Sequence, residues 1–168
     1  MTEPARLAVR DATADDATAI AVIYNQGIED RQATLETEPR SVDERQAWLA
    51  ARGARHPVLV GVDAGQVVGW ASLNRFNRRP AYDHVADLSV YVERTHRGQG
   101  VGGVLLSALE DRARRIGYHK LVLAAFPTNA AGRRLYGRCG FREVGTYREQ
   151  GLLDGRWVDV LLMEKLLG

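Results

Sequence analysis

The order of apolar and polar positions divides the chain into segments of two periods. Arg6-Leu7-Ala8-Val9-Arg10 alternates and predicts a first strand. Thr13-Ala14-Asp15-Asp16 has the spacing of a capping box, in which a hydroxyl and a carboxylate satisfy the free amides of a helix start. The helix that follows carries Ala17, Ile20, Ile23, Tyr24, Gly27 and Ile28 along one face. Ser41-Val42-Asp43-Glu44 repeats the signature and opens a second helix with Trp48 and Leu49, ended by Gly53 and Pro57. Val58–Val62 and Gln66–Leu73 flank Asp63-Ala64-Gly65, which predicts a hairpin. Asn74–Pro80 reads as a polar loop, Val85–Val92 as a strand and Arg94–Gly103 as a basic, glycine-rich turn. Val104–Ile116 sets Leu105, Leu106, Leu109 and Ala113 at helical spacing, with Gly117 as the C-cap. Leu121–Ala125 predicts a strand and Asn129–Arg138 a helix. Phe141–Gln150 and Arg156–Leu166 are strands joined through Asp154-Gly155. The order β-α-α-β-β-β-α-β-α-β-β implies an α/β fold, a mixed sheet covered by helices.

Composition narrows the class. A chain of 168 residues, 45% hydrophobic and 26% charged, fits one globular domain over residues 1–168. No apolar run approaches the ~18 residues of a membrane span. Met1-Thr2-Glu3-Pro4 lacks the basic-then-apolar pattern of a signal segment, so a cytoplasmic protein with no membrane partner is expected. Lys and Arg number 23 against 21 Asp and Glu, for a net charge of +2, which argues against nucleic acid as a partner. Cys139 is the single cysteine, so no intrachain disulfide forms, and its setting in Leu135–Phe141 suits a small packed residue. His56, His84, His96 and His119 show no metal-ligand spacing, and no metal is expected.

Gly98-Gln99-Gly100-Val101-Gly102-Gly103 fits G-x-G-x-x-G, the dinucleotide fingerprint. Its context does not. A dinucleotide fold places this turn after its first strand and an acid ~20 residues on. Here the turn follows the fourth strand, and the next strand ends in Phe126-Pro127. A P-loop is excluded because no Lys-Ser or Lys-Thr follows the glycines. The turn still brings main-chain N–H groups and a helix start together, with Arg94 and Arg97 nearby, which predicts a site for a pyrophosphate-sized anion. The plainer reading is a tight strand-to-helix turn.

Arg97-Gly98-Gln99-Gly100-Val101-Gly102, after the strand Ser89-Val90-Tyr91-Val92, resembles the R/Q-x-x-G-x-G/A coenzyme A loop of the GCN5-related N-acetyltransferases (GNAT). Asn129-Ala130-Ala131 and Leu135-Tyr136 to Gly140-Phe141 are similar to that superfamily's asparagine helix and LYxxxGF segment. A closer resemblance, to the phosphinothricin acetyltransferase group, runs through Ile23-Tyr24-Asn25, Thr34 to Pro39, Trp48-Leu49, Ala81-Tyr82 and Gly155 to Asp159. It implies a twisted mixed sheet of about seven strands with about four helices, acetyl-CoA as cosubstrate, no metal, and a homodimer, with which apolar residues expected on the surface of the C-terminal hairpin, such as Trp157 and Leu161, are compatible. It also implies acetylation of the α-amino group of a small amino acid: phosphinothricin, methionine sulfoximine, methionine sulfone or arsinothricin. Three positions depart from the group. Asp87 stands where Glu is usual, Leu35 where Phe is frequent, and Tyr136 where His is frequent.

Acetyl transfer to an amine requires removal of a proton, polarisation of the thioester carbonyl, and tolerance of the leaving thiolate. Asp87 is the candidate base, directly or through water, in a mostly apolar strand where burial would raise its pKa. Tyr136 is the candidate acid, with core packing as the alternative. The backbone of Ser89, Val90 and Tyr91 is expected to pair with the pantetheine arm like an added strand. Arg97, Gly98, Gln99, Gly100, Val101 and Gly102 would hold the diphosphate. Asn129 would bond the arm or cap its own helix. Arg75, Arg78 and Arg79 suit a carboxylate or phosphinate, or form a solvated loop. Asn77, Glu36 and Tyr82 complete the expected substrate site by motif position. The alternatives to an amino acid acetyltransferase are an enzyme for another amine (polyamine, aminoglycoside or protein N-terminus) and a silent acyl-CoA-binding module.

Overall fold

The computed structural model describes residues 7–168; Arg6, at the head of the expected first strand, lies outside them. The described strands are β1 (Ala8–Asp11), β2 (Val58–Asp63), β3 (Gln66–Arg75), β4 (Val85–Val92), β5 (Lys120–Ala125), β6 (Arg142–Leu153) and β7 (Arg156–Leu166). The helices are α1 (Ala17–Glu29), α2 (Val42–Ala50), α3 (Val101–Ile116) and α4 (Ala130–Arg138). The strands form one sheet in the order β1-β2-β3-β4-β5-β7-β6. Its pairs are antiparallel except β4 with β5.

The expected caps are present. Ser41 Oγ accepts from the Glu44 amide at 3.1 Å while Glu44 accepts from the Ser41 amide at 2.8 Å. The Asp16 carboxylate accepts from the Thr13 amide at 2.7 Å and from Arg10. The β2–β3 turn places Ala64 and Gly65 at φ 49° and 78°, the two left-handed positions of a tight hairpin.

Two apolar layers sandwich the sheet. Leu105, Leu106, Leu109 and Ala113 of α3 pack on Ala71, Leu73, Ala86, Leu88 and Leu121. Ile20, Ile23, Tyr24 and Ile28 of α1 pack on Val58, Val60 and Trp70, with Trp48 and Leu49 of α2 beside them. Each fully buried aliphatic side chain here contributes about 1.5–3 kcal/mol. Close approach at the centre requires glycine: a Cβ on Gly69 would lie 2.9 Å from Leu105 Cδ1 and 3.1 Å from the Tyr91 carbonyl oxygen.

Three expectations need correction. β3 runs two residues past Leu73, because Asn74 and Arg75 pair with Asp87 and Ala86; Arg75 therefore ends a strand and does not belong to the loop. α3 begins at Val101, three residues early, so Gly102 and Gly103 are helical. Glycine's weak helix propensity yields there to a packing demand, since a Cβ on Gly102 would lie 2.9 Å from Leu135 Cδ2. Leu161, expected on the surface, is 3% exposed: β7 lies inside the sheet, and Leu161 joins the α3-side core.

The feature that creates a site is the short β4–β5 ladder. Only Val85, Ala86 and Asp87 pair with β5, opposite Lys120, Leu121 and Val122. β4 continues beside β3 to Val92, while Leu123, Ala124 and Ala125 pair with β7 alone. Beyond Asp87 the two parallel strands have parted.

Candidate active site

Alternation along β4 sends its side chains two ways. Asp87, Ser89 and Tyr91 stand opposite Asn74, Ser72 and Trp70 of β3, forming a polar and aromatic ladder on the α1–α2 side. Leu88, Val90 and Val92 face the α3 side. The Glu93 amide donates to the Val68 carbonyl at 2.8 Å. By the same alternation, the amides of Val90 and Val92 turn to the edge that β5 has left.

A cavity of ≈ 730 Å³ opens along that edge and reaches the start of α3. Its walls include Val90, Tyr91 and Val92, the turn residues Arg97, Gly98 and Gly100 to Gly103, and Asn129, Leu135 and Tyr136 of the α4 region. Gly98 and Gly100 hold φ 75° and 86°, and nothing lies within 4 Å of a Cβ built on either. Val104 is the first α3 residue to donate back into the helix, to Gly100 at 3.2 Å. The amides of Val101, Gly102 and Gly103 are thus the unpaired donors of a helix start, at the positive end of its dipole. Open glycines, free amides and an unpaired strand edge in one cavity fit the diphosphate and amide arm of a coenzyme A thioester.

The turn is braced by charge. Arg94 bonds Asp30 and Glu29 at 2.9 Å, and Arg97 bonds Asp30 at 2.7 Å. Asp30 accordingly has a lowered pKa, first through the Arg94 hydrogen bond, against some desolvation. The two arginines expected to add free charge to the turn therefore pin it to the end of α1. Glu93 is pushed down to about 2, chiefly by bonds from Thr95 and His96.

A second cavity, ≈ 440 Å³, lies on the α1–α2 side. Tyr24, Trp48, Trp70 and Tyr91 form its aromatic walls; Ser72, Asn74 and Ser89 its polar floor; and Glu36, Arg40, Glu44 and Arg45 its charged rim. The floor is ordered: Asn74 Nδ2 donates to Ser89 Oγ at 3.2 Å, and Asn74 Oδ1 accepts from Ser72 at 3.1 Å and from Arg52 at 2.9 Å. Trp70 stacks on Tyr91 with centroids 4.8 Å apart. Tyr91 borders both cavities as their shared wall.

Asp87 stands at the parting of the strands, opposite Asn74. Burial raises its pKa to about 6, against a lowering contribution from Asn74. Burial raises the Tyr136 phenol to about 12, and Asp87 and Cys139 add to the shift. Tyr91 is raised too, by burial first and then by Tyr24, Tyr136 and Asp87, while Arg45 opposes. These groups form one electrostatic cluster where the cavities meet.

The other expected residues fall in several places. Ser89 points into the smaller cavity. Gln99 donates to the Thr95 carbonyl at 3.2 Å and lines neither cavity. Asn129 caps α4, accepting from Gly132 at 3.0 Å, while its Nδ2 reaches the Gln32 carbonyl at 3.5 Å. Glu36 lies on the rim, paired with Arg40 at 3.1 Å. Arg75, Asn77 and Tyr82 surround a separate hollow of ≈ 120 Å³ with Arg55 and Tyr118. Arg78 and Arg79 are exposed outside all three spaces. Sequence reasoning missed Ser72, Asn74, Arg45 and Arg52. The alternation of Trp70, Ser72 and Asn74 was the available signal for the first two.

The profile of the acetyltransferase (GNAT) family matches residues 22–141. This chain belongs to that family. It is an acetyl-CoA-dependent N-acetyltransferase, and acetyl-CoA is its cosubstrate. It is 37% identical, over 93% of its length and 92% of the relative's, to the L-methionine sulfoximine/L-methionine sulfone acetyltransferase of Pseudomonas paraeruginosa. A phosphinothricin acetyltransferase from Sinorhizobium meliloti, solved in complex with acetyl-CoA, superposes with TM-score 0.90 at 30% identity, covering 96% of this chain and 89% of that one. A ribosomal-protein-alanine N-acetyltransferase from Brucella melitensis superposes with TM-score 0.92 at 38% identity, covering 95% and 99%. Among the described residues, no helix is long and apolar enough to cross a membrane, and no cluster of His, Cys, Asp and Glu is placed to hold a metal ion.

Proposed function

We propose that this acetyltransferase moves the acetyl group directly onto the α-amino group of a small amino acid of the phosphinothricin, methionine sulfoximine, methionine sulfone or arsinothricin kind. The observation that carries this reading is the wall shared at Tyr91, where a cavity suited to a thioester adjoins a small polar cavity on the β4 face of a half-buried carboxylate. The free amides at the start of α3 hold the diphosphate, and the exposed edge of β4 aligns the arm. The Val90 amide, turned to that edge, is placed to donate to the thioester carbonyl as charge develops there. Asp87 takes the ammonium proton through a bridging water, its pKa near 6 leaving it ionised yet basic at neutral pH. Tyr136 stays protonated at working pH and donates a hydrogen bond to the departing sulfur. The Pseudomonas relative's activity supports the substrate class.

The whole of this chemistry lies within one domain. A second copy is expected to cover the exposed apolar side chains of the β6–β7 hairpin, Val144, Tyr147, Leu152 and Trp157, making a homodimer. With one free cysteine and no disulfide, the chain suits the reducing cytoplasm.

Acetylation of a protein N-terminus is the second reading, favoured by the Brucella likeness. Thiol release from acetyl-CoA decides between them. The panel holds the four amino acids above, a polyamine and an alanine-initiated peptide. Turnover confined to amino acids is expected; turnover only with the polyamine or the peptide overturns the assignment.

A further inference from the structure

Arg45 stands apart from the other arginines. Arg10, Arg31, Arg94, Arg97, Arg112 and Arg133 each meet a carboxylate within 2.9 Å. Arg52 gives its donors to the carbonyls of His56 and Leu73 and to Asn74 Oδ1. Arg45 is more deeply buried, at 8% exposed, and among the described residues no carboxylate lies within ion-pair distance of it. Its Nε is buried with no hydrogen-bond partner. A buried cation in that condition carries an uncompensated desolvation cost.

Its surroundings do not discharge that cost. The guanidinium carbon lies 4.3 Å from the Tyr24 ring centroid, 4.8 Å from Trp48 and 5.9 Å from Trp70. Stacking against aromatic rings offsets part of the lost hydration and leaves the in-plane N–H donors free. The two carboxylates on the same rim are engaged elsewhere. Glu36 pairs with Arg40 at 3.1 Å, and Glu44 accepts from the Ser41 amide at 2.8 Å. Arg45 therefore lines the smaller cavity with planar donors that no carboxylate of the described residues matches and that the Tyr24 phenol engages only in small part, the arrangement that recognises carboxylate and related oxyanions. A short bridge of rings leads from it toward the proposed base. Tyr24 lies against Arg45, its centroid is 5.2 Å from that of Tyr91, and Tyr91 shares the β4 face of Asp87. The cavity that Arg45 lines also includes Ser89, two residues from Asp87 on the same face of β4.

We propose that Arg45 anchors an anionic oxygen group of the acceptor, its α-carboxylate or an acidic side-chain group, so that the enzyme selects zwitterionic amines over simple ones. This deepens the function proposed above and rests on it. The anchor comes from α2, away from the arginines of the β3–β4 loop.

The test is a cycle between Arg45 and the charged group of the acceptor. Wild-type enzyme and Arg45→Met are compared on L-methionine sulfone, whose one anionic group is its carboxylate, on its carboxamide, and on phosphinothricin, which adds a phosphinate. Acetyl-CoA affinity by calorimetry confirms that each variant is folded. In wild type, loss of the contacted anion should lower kcat/KM about 100-fold. In Arg45→Met that discrimination should collapse. Collapse of the acid-to-amide ratio assigns the carboxylate; collapse of the phosphinothricin-to-sulfone ratio assigns the side-chain group. If both ratios survive in Arg45→Met, the proposal is overturned. Should Arg45→Met fail to fold, Arg45→Lys keeps a cation without the planar fork. It should lose at least about tenfold in discrimination, and an unchanged ratio there overturns the anchor equally. Failure of the broader reading looks different, because wild-type enzyme would then turn over no amino acid at all.

Discussion

The larger cavity is walled in great part by main chain: glycines at positive φ, amides at a helix start, and a strand edge. The smaller one is walled by side chains drawn from α1, α2, β3 and β4 and the segment between the first two helices. The first can grip a ligand common to many enzymes, because backbone donors vary little with sequence. The second can be retuned one side chain at a time. A transferase with a fixed donor and an adaptable acceptor site divides its labour in this way.

The sharpest way to break the comparison is at the half-buried carboxylate of β4, on the strand face that carries Ser89 and Tyr91. Asp87→Ala should lower kcat by about 10²-fold or more while acetyl-CoA affinity, read by calorimetry, stays within a factor of about two. The wild-type rate should fall as pH drops through about 6, and Asp87→Asn should lose that limb of the profile. The stability signature has the opposite sign. The folded pKa lies above the ordinary 3.8, so the favourable contribution is complete below that value and is lost as pH rises through about 6. Asp87→Asn should accordingly melt higher than wild type at pH 8, and the gap should close toward pH 4. Equal melting curves at pH 8 would contradict a half-buried, ionised Asp87.

Next in size is a change confined to the main-chain cavity. Gly102→Val places bulk where a Cβ already meets Leu135 at 2.9 Å. Acetyl-CoA should bind about tenfold more weakly or worse, with the preference among amino acids unchanged. A shifted preference would show that the two cavities are not separable. The smallest expected effect is that of Tyr136→Phe, which keeps the ring packing against Phe141 and removes one donor. It should lower kcat about tenfold and leave both KM values nearly unmoved; an unaltered kcat would assign Tyr136 to packing alone.

The same division explains how much could be read from the chain. The strand and helix order, the two caps and the hairpin follow from local periodicity, and all are found. The glycine turn was legible because only certain residues tolerate φ near 80° beside a helix start. The smaller cavity was not legible as a unit, since its residues run from Tyr24 to Tyr91 and meet only through sheet pairing. The loop arginines drew attention by their density, yet Arg78 and Arg79 are exposed and do not belong to the cavity lining. Arg45 left a fainter mark. It precedes Trp48 and Leu49 by three and four positions, on the face of α2 that turns inward. The splay of β4 from β5 had no local sign, because ladder length depends on where each strand finds its other neighbour.

Asp30 serves two masters at once, taking bonds from both Arg94 and Arg97 at the mouth of the glycine turn. Those guanidinium charges are answered before any cosubstrate arrives, so their part is to hold the shape of the turn. The charge left to meet an anion comes from the helix-start dipole and from Arg134 and Arg138, exposed on the wall of the same cavity with no ion pair among the described residues.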